Sequence, residues 1–181
     1  ERFAEAKADR NMIDFSDIEH FALRILVDEE TGKSTAAAKE YREKFAEVMV
    51  DEYQDSNYVQ EAILTAVSGQ EEGKNNLFMV GDVKQSIYRF RLARPELFME
   101  KYDSYTNTDS DCQKIDLHMN FRSRPQVLEF TNEIFYHIMD RDMGNIRYDA
   151  AAALYPGASY VESQEEIDTG RFTPEILRIT E

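Results

Sequence analysis

Four short segments of this chain carry side chains whose types and spacing could do chemistry. The first is Val48-Met49-Val50-Asp51-Glu52-Tyr53-Gln54-Asp55, where two adjacent carboxylates follow an apolar triplet. One carboxylate of such a pair can hold Mg²⁺, directly or through water, while the other positions a water for attack on a phosphoanhydride. The alternative is an ordinary acidic turn after a strand. The second segment is Val80-Gly81-Asp82-Val83-Lys84-Gln85-Ser86-Ile87-Tyr88-Arg89-Phe90-Arg91. Gln85 can sense a phosphate by hydrogen bonding. Tyr88 and Phe90 interleave with Arg89 and Arg91, which suits stacking of bases with simultaneous pairing to phosphates; the alternative has both rings in the core. The third is Leu117-His118-Met119-Asn120-Phe121-Arg122-Ser123-Arg124-Pro125. There Arg122 could stabilise charge on a terminal phosphate in a transition state, or simply pair with an acid at a helix entry. The fourth, Met12-Ile13-Asp14-Phe15-Ser16-Asp17-Ile18, reads by itself as a capped helix start.

A fifth segment is a decoy. Thr31-Gly32-Lys33-Ser34-Thr35 ends like the phosphate-binding loop G-x-x-x-x-G-K-[ST], but Val27 stands where the first glycine belongs. Asp28, Glu29 and Glu30 would also repel a triphosphate.

The elements that must position these groups alternate between two periods. Asp14 to Glu30 is predicted as an amphipathic helix with Phe15, Ile18, Ala22, Ile25 and Leu26 on its apolar stripe, and Ser16 with Glu19 as a capping box. Ala37 to Lys44 is a second helix. Val48–Val50 fits a buried parallel strand ending abruptly at Asp51-Glu52. Val59–Val67 is a helix closed by Gly69, and Leu77–Val80 a second buried strand. Pro95 opens a helix running to about Tyr105. Lys114–Leu117 is a third strand, and Pro125 opens a long helix with Val127, Leu128, Ile134, Phe135 and Ile138 buried. Pro174–Thr180 hints at one more strand. Strands alternating with helices indicate an α/β fold with a parallel sheet, and open sheets of that kind place ligands past the carboxyl ends of their strands.

Bulk properties narrow the class. The net charge is −15, from 36 acidic and 21 basic residues, which taken alone argues against a nucleic-acid module. The distribution qualifies this: Val83 to Pro95 holds Lys84, Arg89, Arg91 and Arg94 and no acid, and Arg122 and Arg124 form a second basic island. Such islands either contact anions or pair with neighbouring acids. No run approaches 18 apolar residues, so no membrane span is expected. Cys112 is the only cysteine, which suits a reducing, cytoplasmic setting. The chain begins at Glu1 without an initiator methionine and reads as an excised segment.

The order and spacing of the segments are more specific than any one of them. DEYQDSN, then GDVKQSIYRFR about 25 residues on, then NFRS about 30 further, resembles motifs II, III and IV of the UvrD/Rep/RecB superfamily 1 helicases. The Asp14–Asp17 helix start resembles the segment just before motif II. Within the superfamily, the run Lys84-Gln85-Ser86-Ile87-Tyr88-Arg89-Phe90-Arg91-Leu92-Ala93-Arg94-Pro95-Glu96-Leu97-Phe98 is most similar to the A subunits of the AddAB (RexAB) helicase–nucleases. The UvrD branch more often has Asp at Lys84, Trp at Phe90 and Gly at Leu92. Resemblance covers roughly Asp14 to Tyr160.

The resemblance implies a partial RecA-like parallel sheet of a P-loop NTPase, flanked by helices and lacking the phosphate-loop strand. It implies residues 1–43 as the end of helical domain 1B, 44–117 as the second half of RecA-like domain 1A, and 118–181 as the start of domain 2A. The parent would be an ATP-driven motor that translocates on single-stranded DNA, unwinds duplex ends for double-strand-break repair, and carries a nuclease and a B-subunit partner. Asp51 would hold Mg²⁺ and Glu52 activate water. Gln85 would couple the γ-phosphate of ATP to DNA, Arg122 contact that phosphate, and Tyr88 and Phe90 stack on bases. A UvrD-type repair helicase without a nuclease and a catalytically inactive helicase-like interaction module are the alternatives. The phosphate loop, later helicase motifs and nuclease carboxylates would lie outside these residues, leaving the chain alone without turnover.

Overall fold

The computed structural model describes residues 2–88, 90, 92–142 and 146–176. They form two compact units, Glu1–Lys114 and Ile115–Glu181.

In the first unit, α1 (Arg2–Asp9) is an exposed helix that its sequence did not announce. Next comes α2 (Phe15–Leu26). Its capping box is Asp14 with Asp17, not Ser16 with Glu19, because the helix starts at Phe15 and only a cap at 14 can reach the amide of its third residue. Lys7 of α1 donates to both carboxylates, at 2.9 Å to Asp14 and 2.5 Å to Asp17. Glu19 instead accepts from Gln60 at 2.7 Å. Helix α3 (Ala36–Lys44) starts at a Thr35 cap, and α4 (Tyr58–Val67) at an Asn57–Gln60 capping box. Leu26, Ala38 and Ala66 form the core where α2, α3 and α4 meet, with Val27, Ile63 and Val67 packed around it. Phe15, Ile18 and Ile25 of the expected stripe are exposed.

Arg42 is buried at the edge of this core. It donates to the Ala66 carbonyl at 2.8 Å, closing the last turn of α4, and pairs with Glu71 at 2.6 Å. The decoy segment is a connector between α2 and α3. Asp28 accepts from the Thr31 amide and hydroxyl, Gly32 takes the left-handed turn position, and Val27 bridges Ser34.

Strands β1 (Val48–Val50) and β2 (Leu77–Met79) pair parallel, with Val48 opposite Leu77 and Val50 opposite Met79. The connecting α4 makes the crossover that parallel pairing requires. Burial is one-sided rather than complete. Val48, Val50, Leu77 and Met79 are half-buried, whereas Met49 is 69% and Phe78 55% exposed on the opposite face. Helix α5 (Pro95–Ser104), opened by Pro95, packs on the short 3-10 turns Tyr53–Asp55 and Val83–Gln85 that follow the two strands.

The expected third strand is absent. Lys114–Leu117 is irregular, and only the neighbouring Thr106–Gln113 bridge forms. A parallel strand needs a ladder partner, and the β1–β2 sheet has just two strands among the described residues. Instead the second unit builds its own two-residue pairing, β3 (Met119–Asn120) parallel to β4 (Tyr155–Pro156). Helix α6 (Pro125–Ile138) packs on β4. Leu128 is buried and Ile134 and Phe135 half-buried, but Val127 and Ile138 of the expected stripe are exposed. The buried partners are Tyr148, edge-on to Phe135 and Tyr136, and Ala153. Asn132 fastens α6 to this turn by bonds with the Tyr148 hydroxyl and both backbone groups of Leu154. A short helix α7 (Gln164–Asp168) follows. Pro174–Ile176 is irregular, and the rest of the hinted last strand lies outside the described residues. No helix of the described residues is long and apolar enough to cross a membrane.

Candidate functional site

The parallel pairing of β1 and β2 brings the first two chemical segments to one sheet edge. Val80 donates to the Val50 carbonyl and accepts from the Tyr53 amide, both at 2.9 Å, so the chains leave the sheet side by side. Asp51 and Glu52 then emerge at the carboxyl end of β1, both exposed. Glu52 adopts a left-handed backbone (φ 51°), a conformation that L side chains other than Asn and Asp rarely take and that costs of order 1–3 kcal/mol. The Asp51 carboxylate accepts the Glu52 amide at 2.9 Å. The two acids, with Asp55, Ser56 and Gln60 and the apolar Val50, Ile63 and Leu64, line an open cavity of about 410 Å³.

The residues immediately after the pair are the anchor. Tyr53 is buried and donates its hydroxyl to Glu61 at 2.5 Å, and Lys101 of α5 holds the other Glu61 oxygen at 2.8 Å. Burial, reinforced by the Glu61 carboxylate, raises the Tyr53 phenol far above its ordinary range, so it remains a donor. Gln54 is wholly buried, and its side chain spans the two segments. Its Nε2 donates to Glu52 Oε2 at 2.6 Å, and its Oε1 accepts the Asp82 amide at 3.0 Å. Asp55 turns one oxygen into the protein without a hydrogen-bond partner, and burial, with the Glu52 charge adding to it, raises its pKa.

Asp82 organises the second segment. Its side chain accepts the Lys84 amide at 3.1 Å, pairs with Lys84 Nζ at 2.9 Å and accepts from Gln85 Nε2 at 3.1 Å. Gln85 is exposed at the end of this turn. Tyr88 and Phe90 follow, exposed (Phe90 by 76%) and in mutual ring contact at 5.9 Å, so neither is a core aromatic. Leu92 lies in the left-handed region (φ 66°), where the UvrD-branch glycine would be unstrained. Arg89 and Arg91 lie outside the described residues.

The third segment belongs to the second unit. Asn120 accepts the amides of Arg122 at 3.0 Å and Ser123 at 2.8 Å, shaping the turn that presents an exposed Arg122. Arg124 is engaged locally, paired with Glu162 at 3.2 Å and lying over the Phe172 ring at 3.9 Å. Lys84 and Arg124 thus take the acid-pairing reading of the basic islands.

The residue that sequence reasoning passed over is Gln54. Its one signal is an amide between two acids and beside a buried tyrosine, a pattern without hydrophobic periodicity.

Comparison with known proteins bears directly on this arrangement. The UvrD/REP helicase N-terminal domain family matches residues 1–106. The A subunit of an ATP-dependent helicase/nuclease from Lachnoclostridium phytofermentans is 53% identical over 174 residues, covering 95% of this chain and 13% of the relative. Proteins of the same description from Staphylococcus haemolyticus and Staphylococcus aureus are 57% and 53% identical over 87% and 92% of the chain. The chain spans 13–14% of the length of these curated relatives. With two exposed carboxylates at a strand end, a second polar turn beside them and a helicase family matched across both, this chain belongs to the UvrD/REP helicase family.

Proposed function

We propose that the chain is an internal segment of the A subunit of an ATP-dependent helicase/nuclease and supplies part of its ATP-hydrolysing motor. The observation that carries this reading is the convergence of Asp51, Glu52 and the Asp82–Gln85 turn on one edge of a parallel strand pair. In this reading residues 1–43 are the end of helical domain 1B, 44–117 the second half of a RecA-like domain, and 118–181 the start of the next motor domain. Identity above 50% across most of the chain to proteins described as helicase/nuclease subunits favours this over a repair helicase without nuclease or an inactive module.

The donor set fits Mg²⁺. That ion prefers one or two carboxylates with water and phosphate oxygens completing its shell. Asp51 is exposed at the cavity, Asp55 adds a buried oxygen without a partner, and no group of three or more potential ligands is gathered among the described residues. When bound, Mg²⁺ would supply positive charge that offsets the charge of the phosphate oxygens. Asp51 would hold it. Glu52 would accept the proton of the attacking water, its carboxylate fixed by the Gln54 amide. Gln85 would meet the terminal phosphate from the neighbouring turn, and Arg122 would stabilise its developing charge. Tyr88 and Phe90, with Arg89 and Arg91, would engage single-stranded DNA. No G-x-x-x-x-G-K-[ST] occurs in these residues, so triphosphate anchoring belongs to the remainder of the protein. Duplex DNA ends and a B-subunit partner belong to the same proposal.

The test is Glu52→Gln in the full-length protein. ATP hydrolysis should be abolished while ATP binding is largely spared, because an amide cannot take the proton. Equal losses of binding and turnover would remove the assignment.

A further inference from the structure

The Gln54 side chain connects the two halves of this site, which is more than holding Glu52 requires. It is fully buried, yet both ends of its amide are satisfied by groups with one possible polarity. A carboxylate can only accept and a backbone N–H can only donate, so the amide orientation is fixed by its partners. Nε2 reaches Glu52 at 2.6 Å and Oε1 receives the Asp82 amide at 3.0 Å. The Asp82 carboxylate in turn accepts from Gln85. The packing leaves this amide no freedom. A Cβ at position 81 would stand 2.6 Å from Gln54 Oε1, so glycine is what permits the chain to pass. Glu52 is held in a strained backbone conformation at one end of this link, and Tyr88 and Phe90 follow the turn at the other.

We propose that Gln54 is a positioning residue that ties the Glu52 carboxylate to the Asp82–Gln85 turn, so that single-strand engagement beyond the turn sets the orientation of the group that activates water. The inference rests on the assignment of Glu52 as that group. A displacement of the turn must move the Asp82 amide, and a rigid buried amide passes that displacement to its other end. Hydrogen bonds of this kind set geometry rather than affinity, so the effect should fall on turnover and not on binding.

The experiment uses the full-length protein in complex with its partner, with Gln54→Met, which keeps the length and removes both bonds. Gln54→Glu keeps the acceptor for Asp82 and removes the amide donor facing Glu52. ATP turnover with and without oligo-dT, KM, nucleotide affinity and oligo-dT affinity are measured for each. The expected result is a fall in DNA-stimulated kcat of about 10- to 100-fold, the size associated with a catalytic group misplaced by about 1 Å. It should exceed the fall without DNA, while KM and both affinities stay within about 2-fold. A stimulation ratio equal to wild type in either folded variant overturns the proposal. So does parallel loss of nucleotide and DNA binding in both variants, which marks a purely structural residue. Glu52→Gln is run alongside. If it retains turnover, the assignment of Glu52 fails; if it is inactive while the Gln54 variants keep the wild-type ratio, only the Gln54 inference fails.

Discussion

The left-handed backbone at Glu52 makes a prediction whose sign is diagnostic. At an ordinary exposed position, replacing Ala by Gly destabilises, because glycine loses more freedom on folding, by roughly 0.4–1 kcal/mol. At φ 51° the order should invert. Ala retains the left-handed penalty of about 1–2 kcal/mol, which glycine avoids. Both substitutions remove the same carboxylate and leave the same Gln54 amide without its acceptor, so that loss cancels between them. The difference, about 1 kcal/mol in favour of Glu52→Gly, corresponds to about fivefold in an opening equilibrium. The Tyr53 amide is the natural probe, since it follows position 52 and donates to the Val80 carbonyl at 2.9 Å. Its hydrogen-exchange protection should be about fivefold higher in Glu52→Gly than in Glu52→Ala. Equal protection, or greater protection in the alanine variant, would show that residue 52 is not left-handed in solution. Such a result would remove the backbone strain assigned to this position.

Three further outcomes are expected. Arg122→Ala in the full-length protein should lower kcat by about 10³-fold or more, with little change in nucleotide affinity, if it acts as arginine fingers do. Steady-state kinetics set against equilibrium nucleotide binding checks this, and equal losses would reject it. Tyr88→Ala and Phe90→Ala should each weaken single-strand binding by about 1–3 kcal/mol, the range of a lost base stack, as read by fluorescence anisotropy with oligo-dT. The Arg42 hydrogen bond holds the Glu71 carboxyl below its ordinary pKa. That contribution is complete above the ordinary glutamate value, about pH 4.3, and is lost as pH falls through the lowered folded value. Arg42→Met should therefore flatten the acid side of the stability profile of the first unit in urea titrations, and an unchanged slope there would dismiss the pair as a stabiliser.

Much of the site was legible because its chemistry is written in contiguous residues. Val48–Val50 and Leu77–Met79 each end in polar groups, and the apolar stretch of α4 between them is long enough for one crossover, so parallel pairing and a shared edge followed. What failed did so where the outcome depends on a neighbour. Lys114–Leu117 has strand-like residues, but a strand exists only in a ladder, and the described residues supply none. The apolar stripes of α2 and α6 were read from periodicity, yet Phe15, Val127 and Ile138 stand exposed. Gln54 was invisible for the converse reason. Its burial follows from the Asp82 turn that bonds it and from α5 packing on the Tyr53–Asp55 turn, partners that lie far along the chain from it.

The two-stranded sheet has a colloidal consequence. Met49 and Phe78 face outward from adjacent strands in register, forming an apolar surface beside strand edges whose backbone groups can template further pairing. A chain of this composition resists clumping largely by its charge of −15. Raising the salt concentration screens that repulsion within about 10 Å at 0.1 M, and the concentration at which the 181-residue chain remains dispersed should fall accordingly. Replacing Phe78 with threonine, which keeps β propensity while removing the ring, should restore dispersion at the same salt.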